Sequence, residues 1–205
     1  MNSRILEYLQ EKYIPHTIMV YGSYANKTNN KNSDFDAIII SDFIESTHDG
    51  SIVDGIELDV FVYSTKDIEK ENDFSKYVQI FDATICIDNK GLGQRLKDAV
   101  TFYIESNSLK SHEEKQHLSE WCRKMVARTE REDVEGYFRW HWVLSDSLEI
   151  YCTMRDQFYF GPKKTITRMK EVDQLGYEKL LFALKEMNST YLNEWIEHAI
   201  TLGEG

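Results

Sequence analysis

The chain has 205 residues, 41% hydrophobic and 29% charged, with a formal net charge of −11. That is enough apolar material for a packed core in one domain or two small ones. The acidic balance argues against a protein that grips long nucleic acid, whose phosphates call for a basic face, and no segment has the unbroken apolar length of a membrane span.

The N-terminal stretch MNSRILEYLQEKY carries charges within an amphipathic pattern and reads as a helix over about 3–12 rather than as a signal core; a cytoplasmic location is expected. HTIMVY then predicts a strand at 17–21, followed by Gly22-Ser23 as a sharp turn, a polar loop, and an apolar strand at 36–41 that opens on Asp34-Phe35-Asp36. In SDFIESTHDG and the residues after it, Asp49-Gly50 and Asp54-Gly55 read as hairpin-type turns. They are expected to bring Ile56 to Tyr63 back antiparallel to the Asp36 strand. A short helix from Lys66, a strand around Ala83 to Ile87 and a turn at Asp88 to Gly91 would complete a mixed sheet. From Gly93 onward the periodicity is helical: LGQRLKDAVTFYIES, then 112–132, 134–156, and helices near 163–171, 175–187 and 190–202. The fold class expected is α+β, with a mixed-sheet domain at 1–92 and an all-α helical bundle at 93–205.

Chemistry concentrates in the first half. On a strand, residues i and i+2 share a face, so Asp34 and Asp36 place two carboxylates side by side at a strand end, the outline of a divalent-metal site. Asp59 interrupts the buried-looking run IELDVFVY, and a carboxylate buried alone costs several kcal/mol unless it is paired or binds a metal. Asp59 is therefore expected to face the same site, with Glu57, nearer the strand start, as its rival. Gly22 lets the chain turn sharply and bring backbone N–H groups up to a phosphate, and Ser23 adds a hydroxyl there.

Gly22-Ser23, the polar loop, Asp34-Phe35-Asp36 and the later Asp59 together resemble the signature of the DNA polymerase β-like nucleotidyltransferase superfamily. The overall plan is similar to the small bacterial nucleotidyltransferases, such as the kanamycin and lincosamide enzymes, that follow the catalytic domain with a helical one. The resemblance implies transfer of a nucleoside monophosphate, usually AMP from ATP or another NTP, to an acceptor hydroxyl, with release of pyrophosphate and two Mg²⁺ ions as cofactors. It implies Asp34, Asp36 and Asp59 as metal-binding and catalytic residues. Gly22 and Ser23 would bind the nucleotide phosphates. Asp59 would act as a ligand or as the base; Asp146 and Glu149, one turn apart in the helical half, are alternative bases.

The remaining features bound the partners. Arg123, Lys124, Arg128 and Arg131 share a helix with Glu120, Glu130 and Glu132 and read as a solvated mixed-charge face. An acidic protein suits a cationic or neutral small acceptor, aminoglycoside- or lincosamide-like, with no membrane and no long nucleic acid, and with a homodimer left open. The other reading is an antitoxin-like or regulatory module that AMPylates a protein or only binds nucleotide. Tyr137, Trp140, Leu144, Leu148 and Tyr151 form one helical stripe expected to be core, with Trp142 beside it. Cys86, Cys122 and Cys152 are expected to be buried, reduced thiols.

Overall fold

The computed structural model describes residues 2–131 and 133–201. Met1, Glu132 and residues 202–205 lie outside the described residues, and with them the last position of the expected 190–202 helix and the end of the expected 112–132 helix. The chain divides into two compact units, Met1–Ile104 and Glu105–Gly205.

In the first unit the order is α1 (Ser3–Tyr13), β1 (Thr17–Val20), α2 (Gly22–Ala25), β2 (Phe35–Ser41), β3 (Thr47–Asp49), β4 (Ile52–Val53), β5 (Ile56–Ser64), α3 (Thr65–Lys70), a 3₁₀ turn at Phe74–Ile80, β6 (Thr84–Asp88) and most of α4 (Leu92–Ser108). Asn2 caps α1 through its side chain, and Asp88 receives the N–H groups of Gly93 and Gln94 at the start of α4. The strands form a mixed sheet in the order β3-β5-β2-β1-β6, with β4 also on β5. On one face Ile18, Val20, Phe35, Ala37, Ile39, Leu58, Val60 and Val62 pack with Ile5, Leu9 and Tyr13 of α1 into one core. Met19, Ile38 and Ile40 on the other face are also fully buried. A strand covered on both faces reads as an unbroken apolar run, which is why AIII shows no alternation.

The expected antiparallel pairing of β5 with β2 is wrong. The two run parallel, with Asp36 opposite Asp59 and Ile40 opposite Tyr63. Asp54-Gly55 is a true hairpin turn: Asp54 at φ 55° and Gly55 at φ 79° reverse the chain between Val53 and Ile56. Asp49-Gly50 is not, because β3 and β4 both run antiparallel to β5 along the same edge. The other reversal lies in residues 42–46, right after β2. Two reversals restore the original direction, and β5 slots in beside β2 as a parallel neighbour.

The second unit is a helical bundle: α5 (His112–Thr129), α6 (Val134–Met154), α7 (Pro162–Val172), α8 (Gln174–Lys185) and α9 (Ser189–Ile200). Each start has a local cause. Ser111 and Glu114 form a capping box, Asp133, Asp173 and Asn188 cap α6, α8 and α9, and Pro162 opens α7. Trp195 is fully buried, and its indole N–H donates to Ser147 Oγ at 2.8 Å, so the polar atom it takes inside is satisfied. Trp140, Leu144, Leu148 and Tyr151 are core as expected, but Tyr137 is half exposed, so the stripe begins one turn later. Trp142 is also close to half exposed. Cys122 and Cys152 are buried and all three cysteines are free, whereas Cys86 is only half-buried. No helix among the described residues is long and apolar enough to cross a membrane.

Candidate active site

The parallel register assembles the acidic cluster. Asp36 is the second residue of β2 and Asp59 the fourth of β5, so the pair is level across the ladder. Their neighbours Phe35, Ala37, Leu58 and Val60 point into the α1 core, which sends both carboxylates to the opposite face. An antiparallel ladder would have set Asp36 against the far end of β5. Asp34, just before β2, joins them: one carboxylate oxygen from each of Asp34, Asp36 and Asp59 lies within 4.8 Å of the others. Asp34 is exposed and the other two are half-buried. Three like charges this close repel, and hard oxygen donors in such a cluster suit Mg²⁺. Glu57, the rival to Asp59, is exposed and stands outside the cluster.

Gly22 closes over the same point. The Tyr21 N–H donates to the Asp36 carbonyl at 3.1 Å, tying the end of β1 to β2, and Gly22 then turns with φ 65° into α2. A Cβ built on Gly22 would lie 2.3 Å from Asp36 Oδ2. Only glycine meets both demands, the left-handed backbone and the bare face against the carboxylate. The first N–H groups of α2 have no acceptor within the helix, and among the described residues the Ser23 hydroxyl has no hydrogen-bond partner. Donors of this kind beside a metal-type cluster can hold phosphate oxygens. Tyr21 senses the cluster: its buried phenol is pushed above its ordinary range, by burial first and then by the charges of Asp59 and Asp36.

One residue of this neighbourhood has no signal in the local sequence. His48, on β3, contacts Asp59 Oδ1 through Nε2 at 2.7 Å. In the sequence it is a lone histidine in a polar loop, and only the pairing of β3 with β5 brings it to the site. Within the helical unit, Asp146 accepts the Trp142 indole N–H at 2.7 Å, and Asp146 and Glu149 line a groove with Glu114, His117, Leu118 and Trp121.

A family model described as a nucleotidyltransferase domain matches residues 3–117, more than half of the chain. The chain belongs to this family, within the DNA polymerase β-like nucleotidyltransferase superfamily, and the general activity of the family is transfer of a nucleoside monophosphate. Among solved structures, a nucleotidyltransferase-like protein from Exiguobacterium sibiricum 255-15 aligns over 97% of this chain and 72% of its own. Identity is 11% and the TM-score 0.41, a likeness too weak to carry any argument about this chain. A comparison with curated proteins finds no match.

Proposed function

We propose that this protein is an adenylyltransferase that moves AMP from ATP to a hydroxyl of a small cationic or neutral acceptor, aminoglycoside- or lincosamide-like, in the cytoplasm. The observation that supports it is the meeting of Asp34, Asp36 and Asp59 within 4.8 Å, directly beneath a glycine turn. In the reaction the acceptor oxygen bonds to the α-phosphorus, the bond from that phosphorus to the β-phosphate bridge breaks, and pyrophosphate leaves. Asp34 and Asp36 would hold Mg²⁺, with Asp59 as the third ligand. When bound, Mg²⁺ supplies neutralisation of triphosphate charge and lowers the pKa of a coordinated hydroxyl. Asp59 accepts the proton of the acceptor hydroxyl. Backbone donors at Gly22 and the Ser23 hydroxyl hold the phosphates that leave. The net charge of −11 raises the local concentration of a cationic acceptor.

The test is incubation with ATP labelled at the α-phosphate, Mg²⁺ and a panel of aminocyclitols, lincosamides and other hydroxylated amines. Label on a small molecule, with matching pyrophosphate release, is the expected result. Label on a co-purified protein would move the acceptor to the AMPylation reading, and absence of any pyrophosphate release with any acceptor would overturn the proposal.

A further inference from the structure

Asp59 is held on one side only. Its Oδ1 contacts His48 Nε2 at 2.7 Å. Among the described residues Oδ2 accepts no hydrogen bond. An ionised carboxylate only accepts hydrogen bonds, so Nε2 carries the proton in this pair, and a neutral imidazole is sufficient. The ring itself is restrained: it packs on Phe61 with centroids 4.8 Å apart and planes at 51°, in the β3–β5 register that pairs His48 with Phe61. Asp59 is therefore the diagonal cross-strand neighbour of His48, within reach of a long or aromatic side chain.

The register that aims His48 is anchored from the other face of β3. Its neighbour Asp49 is buried and accepts the Tyr13 hydroxyl at 2.6 Å, Lys12 Nζ at 2.9 Å and the Ser51 N–H at 2.9 Å. A slip of β3 by one residue would exchange these two side chains across the sheet, placing an imidazole in the buried carboxylate's nest. Strand β3 thus has two coupled side chains: one locks the strand to α1, and the other reaches the acidic cluster.

We propose that His48 is a positioning residue for Asp59, holding Oδ1 so that Oδ2 faces the cation and the acceptor hydroxyl. This rests on the metal-binding reading of the cluster. A carboxylate free to rotate about its last bond would present either oxygen, or both, to a cation; the imidazole N–H selects one. Hydrogen-bond partners of metal ligands act this way in general, and losing one weakens metal binding or activity by about 10–100-fold.

The experiment is a Mn²⁺ titration, followed by electron paramagnetic resonance, of the wild type and of His48→Phe, His48→Ala and His48→Gln, with thermal melts of each. His48→Phe keeps an aromatic ring against Phe61 and removes the donor, whereas His48→Gln restores an N–H at similar reach. Weakening of about 10–100-fold in the Phe and Ala variants, with Gln within about threefold of wild type and melts unchanged, is expected. Wild-type Mn²⁺ affinity in His48→Phe overturns the positioning role alone, and so does parallel loss of affinity in all three variants together with a lowered melting temperature. Absence of Mn²⁺ binding in the wild type sinks both this role and the metal-binding reading. A readout that needs no variant is the imidazole ¹⁵N spectrum of the wild type. The His48 Nε2 resonance should move as Mg²⁺ binds, and a signal that stays still at saturation also overturns the role.

Discussion

Replacing Gly22 by alanine separates the two demands made on that residue. The first is backbone: at φ 65° an alanine costs about 1–2 kcal/mol relative to glycine, or a few degrees of melting temperature in a chain of this size, at about 2–4 °C per kcal/mol. The second is contact. The added Cβ would lie 2.3 Å from Asp36 Oδ2, against a usual carbon–oxygen approach of about 3.3 Å, so something must move by about 1 Å. The atom that is met ends a side chain, so the Asp36 carboxylate turns away while the sheet stays put. A misplacement of about 1 Å in a reacting constellation costs about 100-fold in rate. Gly91→Ala is the control, because Gly91 has nearly the same backbone, φ 68°, with nothing within 4 Å of its Cβ position. Both variants should lose similar stability by calorimetry, and only Gly22→Ala should lose Mn²⁺ binding and pyrophosphate release. If Gly22→Ala binds Mn²⁺ and turns over as Gly91→Ala does, the geometry argued for Asp36 is refuted.

Asp36→Asn should abolish Mn²⁺ binding and lower turnover by at least about 10²–10³-fold. In metal-free buffer it should melt no lower than wild type, since one of three clustered like charges is gone; a large destabilisation there would contradict a cation site. Asp49 is opposed by burial, but the hydroxyls of Ser51 and Tyr13 and the Lys12 ammonium hold its carboxyl well below the usual range. Its folded pKa is the lower one, so its contribution is complete above the unfolded value near 4 and is lost as pH falls toward the folded value. Asp49→Asn should cost about 2 kcal/mol at neutral pH in urea titrations and shrink the acid dependence of stability; an unchanged acid limb would remove Asp49 from the account. Burial first, and the charge of Asp146 next, push the Cys122 thiol up to about 12. Native protein at pH 8 should therefore leave Cys122 unmodified by iodoacetamide, as read by mass spectrometry, until denaturant is added; alkylation at the rate of a free thiol would show the bundle core to be open.

The helices and the acidic residues could be read from the chain because their signals are local. Capping by Ser111, Asp133 and Asn188, the 3.6-residue recurrence of Trp140, Leu144, Leu148 and Tyr151, and the i, i+2 spacing of Asp34 and Asp36 all act between residues a few positions apart. The short helix α2, the 3₁₀ turn at Phe74–Ile80 and the small strands β3 and β4 leave no pattern in the sequence, since each is too short to carry a period. Exposure of Tyr137 also escaped the pattern, because periodicity names a face and not how far along the helix its neighbours extend.

Residue order alone therefore determined which side chains are candidates for the chemistry: a glycine turn, a serine, and three aspartates separated by loop and strand. Tertiary structure decided how they meet. Whether β5 runs with β2 or against it depends on counting every reversal between them, including the one in residues 42–46 that no glycine or proline marks. The level pairing of Asp36 with Asp59 follows from that parallel ladder, the closeness of Gly22 to Asp36 from β1 lying beside β2, and the reach of His48 to Asp59 from β3 lying beside β5. These are contacts between distant segments, selected by the burial of two sheet faces at once, and no window of neighbouring residues contains them.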